Sequence, residues 1–208
     1  KTDQGAGVCI GTAVKGVTVR IIPISDDPIE NWNEAMALPP NEIGEVVVKG
    51  VMVTREYLNR PEETAKAKIN SPDGVWHRMG DLGYLDEKGR LWFCGRKAHR
   101  VETAQGMMLP VCCESIFNQH PKVARTALVG IGAPGRQKPV LVVELLPEYA
   151  HANEETRKRI VAELLVLGTS HEHTLPIKDI RFHPAFPVDV RHNAKIQRQE
   201  LAKWAARK

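Results

Sequence analysis

The chain has 208 residues, of which 42% are hydrophobic and 26% charged; that is enough apolar content to build a core over one large or two small domains, and it excludes a disordered chain. The formal charge of +4 and pI near 8.9 are mildly basic. That balance suits an anionic ligand, but with only Trp204 near the basic C-terminal end it does not argue for nucleic acid.

No apolar run approaches the length of a membrane span, and no signal peptide is visible. The cysteines are Cys9, Cys94, Cys112 and Cys113. They form no Cys-x-x-Cys pair, and adjacent Cys112-Cys113 is a poor disulfide unit, so they read as reduced, buried thiols of a cytoplasmic protein. The chain opens at Lys1, without Met, inside what reads as a running domain, and is expected to be part of a longer protein.

In chain order, Gly5, Gly7, Gly11 and Gly16 precede a strand over Val17-Thr18-Val19-Arg20-Ile21-Ile22. The glycine spacing is not a dinucleotide fingerprint, and no strand–loop–helix unit surrounds it. Residues 23–43, with Pro23, Pro28, Pro39 and Pro40, read as a loop and an insertion. Gly44 to Gly50 is a strand rich in β-branched residues. A short helix starts within Tyr57 to Ala65, with Pro61 suited to a first turn and Glu62-Glu63 meeting the positive helix end.

The most informative stretch runs from His77 to Lys97. Asp86-Glu87-Lys88-Gly89 is turn chemistry, because Gly tolerates positive φ and Asp bonds its own backbone. Leu82, Tyr84 and Leu85 lead into the turn; Leu91, Trp92 and Phe93 leave it. The pattern is a β-hairpin. Gly80-Asp81 enters it and Gly95-Arg96 exits, so the hairpin should bring the Asp81 carboxylate close to the Arg96 guanidinium. Such a pair is either a plain ion pair at the hairpin base or a binding group, the carboxylate accepting from a diol beside the fixed donors of the Arg fork.

Beyond it, a helix begins over residues 114–119, with Ile116 and Phe117 in the core. Val123 to Ile131 and Val140 to Leu146 are strands joined by the Gly132-Ala133-Pro134-Gly135 turn. A helix from about Asn153 to Leu167 has Asn153 as its cap, acidic residues in its first turn, and Ile160, Val161, Leu164 and Leu165 as its buried stripe. Ile180-Arg181-Phe182 is a short strand, and a last helix from about Gln197 buries Leu201 and Trp204. Helix, two strands, helix, strand and helix make a small α+β domain. His171-Glu172-His173 offers two imidazoles with no third ligand nearby and reads as a solvated loop, so no metal site is expected. No base partner can be placed for Cys112, which reads as a buried thiol.

Gly80-Asp81-Leu82-Gly83-Tyr84-Leu85-Asp86, a turn, then Gly95-Arg96-Lys97 resembles the second half of the adenylate-forming superfamily, which includes acyl-CoA synthetases, peptide-synthetase adenylation domains and luciferases. Met79 stands where that family usually has Thr. The resemblance implies that Asp81 binds both ribose hydroxyls of ATP and that Arg96 also contacts the ribose. It implies a mixed α+β fold class: residues 1–95 as the β-rich tail of a large N-terminal, AMP-binding domain, 96–99 as a hinge, and 100–208 as a small C-terminal lid. The rotation would centre on Ala98, where relatives usually carry Asp or Lys. Residues 187–198, Pro-Val-Asp-Val-Arg-His-Asn-Ala-Lys-Ile-Gln-Arg, resemble the family motif whose Lys touches the substrate carboxylate and the α-phosphate. That role falls on Lys195, with Ala194 in place of the usual Gly. A compact ammonium there offsets the negative charge gathered when a carboxylate attacks phosphorus; the bland reading is a solvated basic tail. His192 beside the motif carries no assigned role.

In CoA ligases of the family a Gly-Gly-x-x-Ile-x-Pro-x-Glu-Ile-Glu loop guides the pantetheine thiol. Here Gln105 precedes Gly106, Cys112-Cys113 fills the place near the expected Glu, and Glu114 is displaced by one. The wording from Gly95 to Thr103, and again from Pro187 to Lys195, is similar to the bacterial olefin β-lactone synthetases. That implies ATP-dependent, AMP-forming activation of a 2-alkyl-3-hydroxy fatty acid, followed by closure to a β-lactone in long-chain olefin biosynthesis. The Mg²⁺ ligands would lie outside this segment, and other enzymes of olefin biosynthesis are possible partners. A fatty acyl-CoA or acyl-AMP ligase is the alternative. A non-catalytic binding module is the alternative of another class: the phosphate loop and acyl pocket are absent from this chain, so no adenylation is expected from it alone.

Overall fold

The computed structural model describes residues 1–189 and 195–207. The chain packs as two compact units, Gly7–Ala98 and Lys1–Ala6 with His99–Lys208.

The first unit is built on a six-stranded sheet. Its strands are β1 (Val8–Gly11), β2 (Val17–Ile22), β3 (Gly44–Gly50), β4 (Lys68–Ser71), β5 (Gly74–Leu85) and β6 (Leu91–Arg96), with helix α1 (Pro61–Ala67) between β3 and β4. The order is β1-β6-β5-β3-β2, with β4 also pairing β5, and these pairings are antiparallel. The predicted strands at 17–22 and 44–50 are found at those bounds. The hairpin is found as well, but its first strand extends back to Gly74, eight residues before the expected Leu82, because Lys68–Ser71 returns as a partner for its first half. Residues 23–43 do not merely bulge from the sheet. Ile29, Trp32 and Met36 pack against buried Ile22, Val47, Ile69 and Trp76, and Trp32 stacks on Trp76 with ring centroids 4.3 Å apart.

The second unit holds β7 (Val101–Thr103), β8 (Gly106–Met108), α2 (Pro110–Phe117), β9 (Val123–Ile131), β10 (Lys138–Leu145), α3 (Glu154–Gly168), β11 (Asp179–Phe182) and α4 (Arg198–Ala206). β7 and β8 form a small antiparallel pair where a loop was expected. Helix α2 begins at Pro110, four residues before the expected start: Pro at the first helical position presets φ and has no N–H to leave unpaired. Strands β11-β10-β9 form a three-stranded sheet, parallel between β10 and β11 and antiparallel between β10 and β9.

The two-residue period of β9 and β10 divides their side chains between two cores. Leu128, Leu141 and Val143 pack with Phe117 of α2 and Ile160 and Leu164 of α3. Ala127, Val129, Val140 and Val142 pack with Leu201 and Ala205 of α4. The sheet is thus covered on both faces, which explains the near-continuous apolar run Val140 to Val143. Helix α3 is capped as anticipated, Asn153 accepting from Thr156 N at 2.9 Å. In α4, Leu201 is buried, whereas Trp204 is only half-buried and Ala205 takes the expected place in the core. Cys94, Cys112 and Cys113 are buried thiols; Cys9, expected to be buried, is exposed because β1 is an edge strand with an exposed face. Residues Lys1–Ala6 group with the second unit, where Gln119 Nε2 donates to Asp3 O at 2.6 Å. No helix among the described residues is long and apolar enough to cross a membrane.

Candidate functional site

The β5–β6 hairpin positions the first candidate group. Its turn is organised by Asp86, whose carboxylate accepts from Lys88 N (3.0 Å), Arg90 N (2.9 Å), Arg90 Nε (2.7 Å) and Trp92 Nε1 (3.0 Å). These donors, the Arg90 side chain first, hold the Asp86 carboxyl well below the usual carboxylate range. Gly89 takes φ +69°, the left-handed conformation that the turn requires.

At the open end of the hairpin Asp81 and Arg96 are direct cross-strand partners. Arg96 Nη1 lies 3.1 Å from Asp81 Oδ1, but its aligned hydrogen bond goes to Met79 O at 3.2 Å. Asp81 Oδ1 is buried and accepts no aligned hydrogen bond. Burial pushes the Asp81 carboxyl up, against the opposing pull of Arg96. A buried acceptor without an aligned donor, beside a half-exposed guanidinium, fits a ligand that brings its own hydroxyl donors.

Immediately after Arg96, Lys97 enters a buried charge network. Its ammonium donates to Ser25 O at 2.7 Å and Glu45 Oε2 at 3.1 Å. Arg78 donates to the same Glu45 oxygen at 2.7 Å and to Asp27 O at 2.7 Å, and also reaches Ser25 O. Glu45 and Arg78 are almost completely buried. This network pins the loop after β2 against the end of β6, one residue before Ala98. The sequence reading missed it, since Glu45 and Arg78 stand inside strands that look ordinary; the only available signal was an acidic residue at the start of an otherwise apolar strand.

Lys195 belongs to the second unit. Its side chain is exposed. It stands at the neck of a loop closed by an antiparallel bridge between Val188 and Ile196, with Asp189 N donating to Lys195 O at 3.1 Å and Gln197 N to Pro187 O at 2.9 Å. A cavity of about 360 Å³ is lined by Lys195, His99, Asp189, Gln197, Arg198 and Glu200, among others. The central residues of the motif, 190–194, including His192 and Ala194, lie outside the described residues. The structure therefore brings Asp81 and Arg96 together on one unit and sets Lys195 in a closed loop neck on the other; Ala98 ends the first unit. His171 and His173 stack edge to face with centroids 5.6 Å apart, and no group of three potential metal ligands occurs among the described residues.

No family model matches the chain. It is 51% identical over 213 aligned residues to the olefin β-lactone synthetase of Xanthomonas campestris pv. campestris, and 48% identical over the same length to that of Stenotrophomonas maltophilia. Each match covers 99% of this chain and 37% of the relative, so the chain spans well under half the length of these relatives. Among solved structures, an ATP-bound RpMatB-BxBclM chimera superposes with a TM-score of 0.75 at 25% identity, over 95% of this chain and 36% of that one. The amide bond synthetase McbA of Marinactinospora thermotolerans matches in fold, with a TM-score of 0.73 at 23% identity over 94% of this chain and 36% of its own. The sequence matches run nearly the whole chain, and the fold, a β-rich unit followed by a small α+β unit, is that of the C-terminal part of adenylate-forming enzymes.

Proposed function

We propose that this chain is the C-terminal part of an ATP-dependent, AMP-forming ligase that activates a 2-alkyl-3-hydroxy fatty acid and closes it to a β-lactone. The observation that carries the reading is the 51% identity to an olefin β-lactone synthetase along 99% of the chain. In the first step a carboxylate oxygen attacks the α-phosphorus of ATP and pyrophosphate leaves, giving the acyl-adenylate. In the second the substrate's 3-hydroxyl oxygen attacks the acyl carbon, its proton is lost, and AMP departs. The second step is intramolecular, and holding the hydroxyl beside its target supplies a large rate advantage without a thiol acceptor.

Within this scheme Asp81 accepts from the ribose hydroxyls and Arg96 contacts the ribose; the buried, unaligned Asp81 Oδ1 supports that role. Lys195 offsets the charge that develops on the carboxylate and α-phosphate during adenylation. Residues 1–95 belong to the AMP-binding domain, 96–99 to the hinge centred on Ala98, and 100–208 to the lid. Mg²⁺, held by ligands expected outside this segment, would supply charge neutralisation on the phosphates.

The test is product analysis with the full-length enzyme, ATP, Mg²⁺ and a 2-alkyl-3-hydroxy acid, with and without CoA. A β-lactone formed without CoA supports the reading. Obligatory CoA consumption with an acyl-CoA product overturns it in favour of an acyl-CoA ligase. The 208-residue piece by itself should release no pyrophosphate, and release by the purified piece would show that it needs no further domain.

A further inference from the structure

Glu114, which stands out of place against a thiol-guiding loop, has a different setting in the fold. It is a buried side chain on α2. Strand β9 is the edge of its sheet, and α2 covers that edge, with Glu114 Oε1 accepting from Leu128 N at 2.7 Å. The other oxygen, Oε2, accepts from Arg198 Nη2 at 2.7 Å. Both carboxylate oxygens are therefore committed, one to the sheet and one to the residue three positions after Lys195.

Arg198 is also the first residue of α4, and Gln197 provides no side-chain cap there. The start of that helix, and with it the exit from the Lys195 loop, is anchored by the bridge to Glu114 rather than by local capping. The entry to the loop is anchored in the same manner. Glu144 on β10 accepts from Phe186 N at 2.5 Å and from Arg125 Nε on β9 at 3.1 Å. Between the two carboxylates, the Val188–Ile196 bridge closes the neck.

We propose that Glu114 and Arg198 are positioning residues for Lys195: their bridge, fixed to the sheet through Leu128 N, sets where the loop neck presents the ammonium during adenylation. This rests on the reading of Lys195 given above. Charge balance supports it, since the Glu114 carboxylate offsets the Arg198 cation close in sequence to Lys195. A misplaced ammonium would slow the step in which charge develops on the α-phosphate and leave the later ring closure untouched.

The experiment compares full-length Glu114→Gln, Arg198→Lys and Lys195→Ala enzymes in two separate assays: pyrophosphate release in a single turnover, and conversion of supplied acyl-adenylate to lactone. Gln retains an acceptor for Leu128 N but loses the charged bridge. Pyrophosphate release by Glu114→Gln should fall about ten- to a hundred-fold, the cost of a small misplacement at a reacting centre. Lactone formation from supplied acyl-adenylate should stay within about two-fold of wild type, which also reports that the variant is folded. Arg198→Lys, which keeps a cationic donor, should lie between. Wild-type pyrophosphate release by Glu114→Gln overturns the inference, as does an equal fall in both assays, which marks a purely structural role. If Lys195→Ala itself releases pyrophosphate at the wild-type rate, the reading of Lys195 fails first. If it is slowed and Glu114→Gln is not, only the positioning inference fails.

Discussion

Asp81 and Arg96 face each other across the β5–β6 ladder with Oδ1 and Nη1 3.1 Å apart, yet the guanidinium directs its aligned hydrogen bond to a backbone carbonyl instead. The glycines before each of them, Gly80 and Gly95, take φ +67° and +129°. Both side chains are thus placed by backbone that favours glycine. The pair is close enough to share charge and loose enough to leave the carboxylate an acceptor.

On the proposed ribose-binding role, Asp81→Asn weakens nucleotide binding. Replacing a charged acceptor of two hydroxyl donors should cost about 1.5–3 kcal/mol. The KM for ATP in the full-length enzyme should rise by about ten- to a hundred-fold. Steady-state kinetics with varied ATP checks it, and an unchanged KM would assign the pair to hairpin structure.

The hairpin also sets a steric limit. A Cβ at Gly83 would lie 2.3 Å from Trp92 O, a backbone atom that cannot swing aside. Gly83→Ala should lower stability by about 1–3 kcal/mol through overpacking. Denaturant or thermal unfolding measures it.

Glu45 holds two cations in a buried site. Truncating it leaves Arg78 and Lys97 without their shared carboxylate, and breaking a buried pair in this manner costs about 3–5 kcal/mol. Glu45→Ala should therefore unfold at markedly lower denaturant concentration. A variant with wild-type stability would show that the network relaxes into solvent.

Asp179 provides the acid limb. Hydrogen bonds, from Arg181 first and then Lys138, lower its pKa from 3.8 to about 2. A folded-state pKa below the unfolded value contributes stability that is present above pH 3.8 and lost as the pH falls through 2. The group is partly solvated, so screening reduces the contribution to about 1 kcal/mol. Asp179→Asn should flatten the fall in stability over that window in pH-dependent unfolding curves.

The elements legible in the sequence are those whose determinants are local. The turn at Asp86 to Gly89 needs only an acceptor and a positive φ within a few residues, and the carboxylate does bond Lys88 N and Arg90 N. The β-branched run of β3 and the Asn153 cap are similarly self-contained. The resemblance to the adenylate-forming superfamily was legible too, because its motifs are contiguous words. The Glu45–Arg78–Lys97 network and the Glu114–Arg198 bridge were not. Their members stand 33, 52 and 84 positions apart, and the value of each charge depends on burial that distant strands and helices create. The extension of β5 follows the same rule, being decided by a partner, the return of β4. The sequence by itself determined the local turns, caps, strand periods and family motifs; only the tertiary structure decided which charges are buried together, because desolvation is a property of the assembled fold and not of any segment within it.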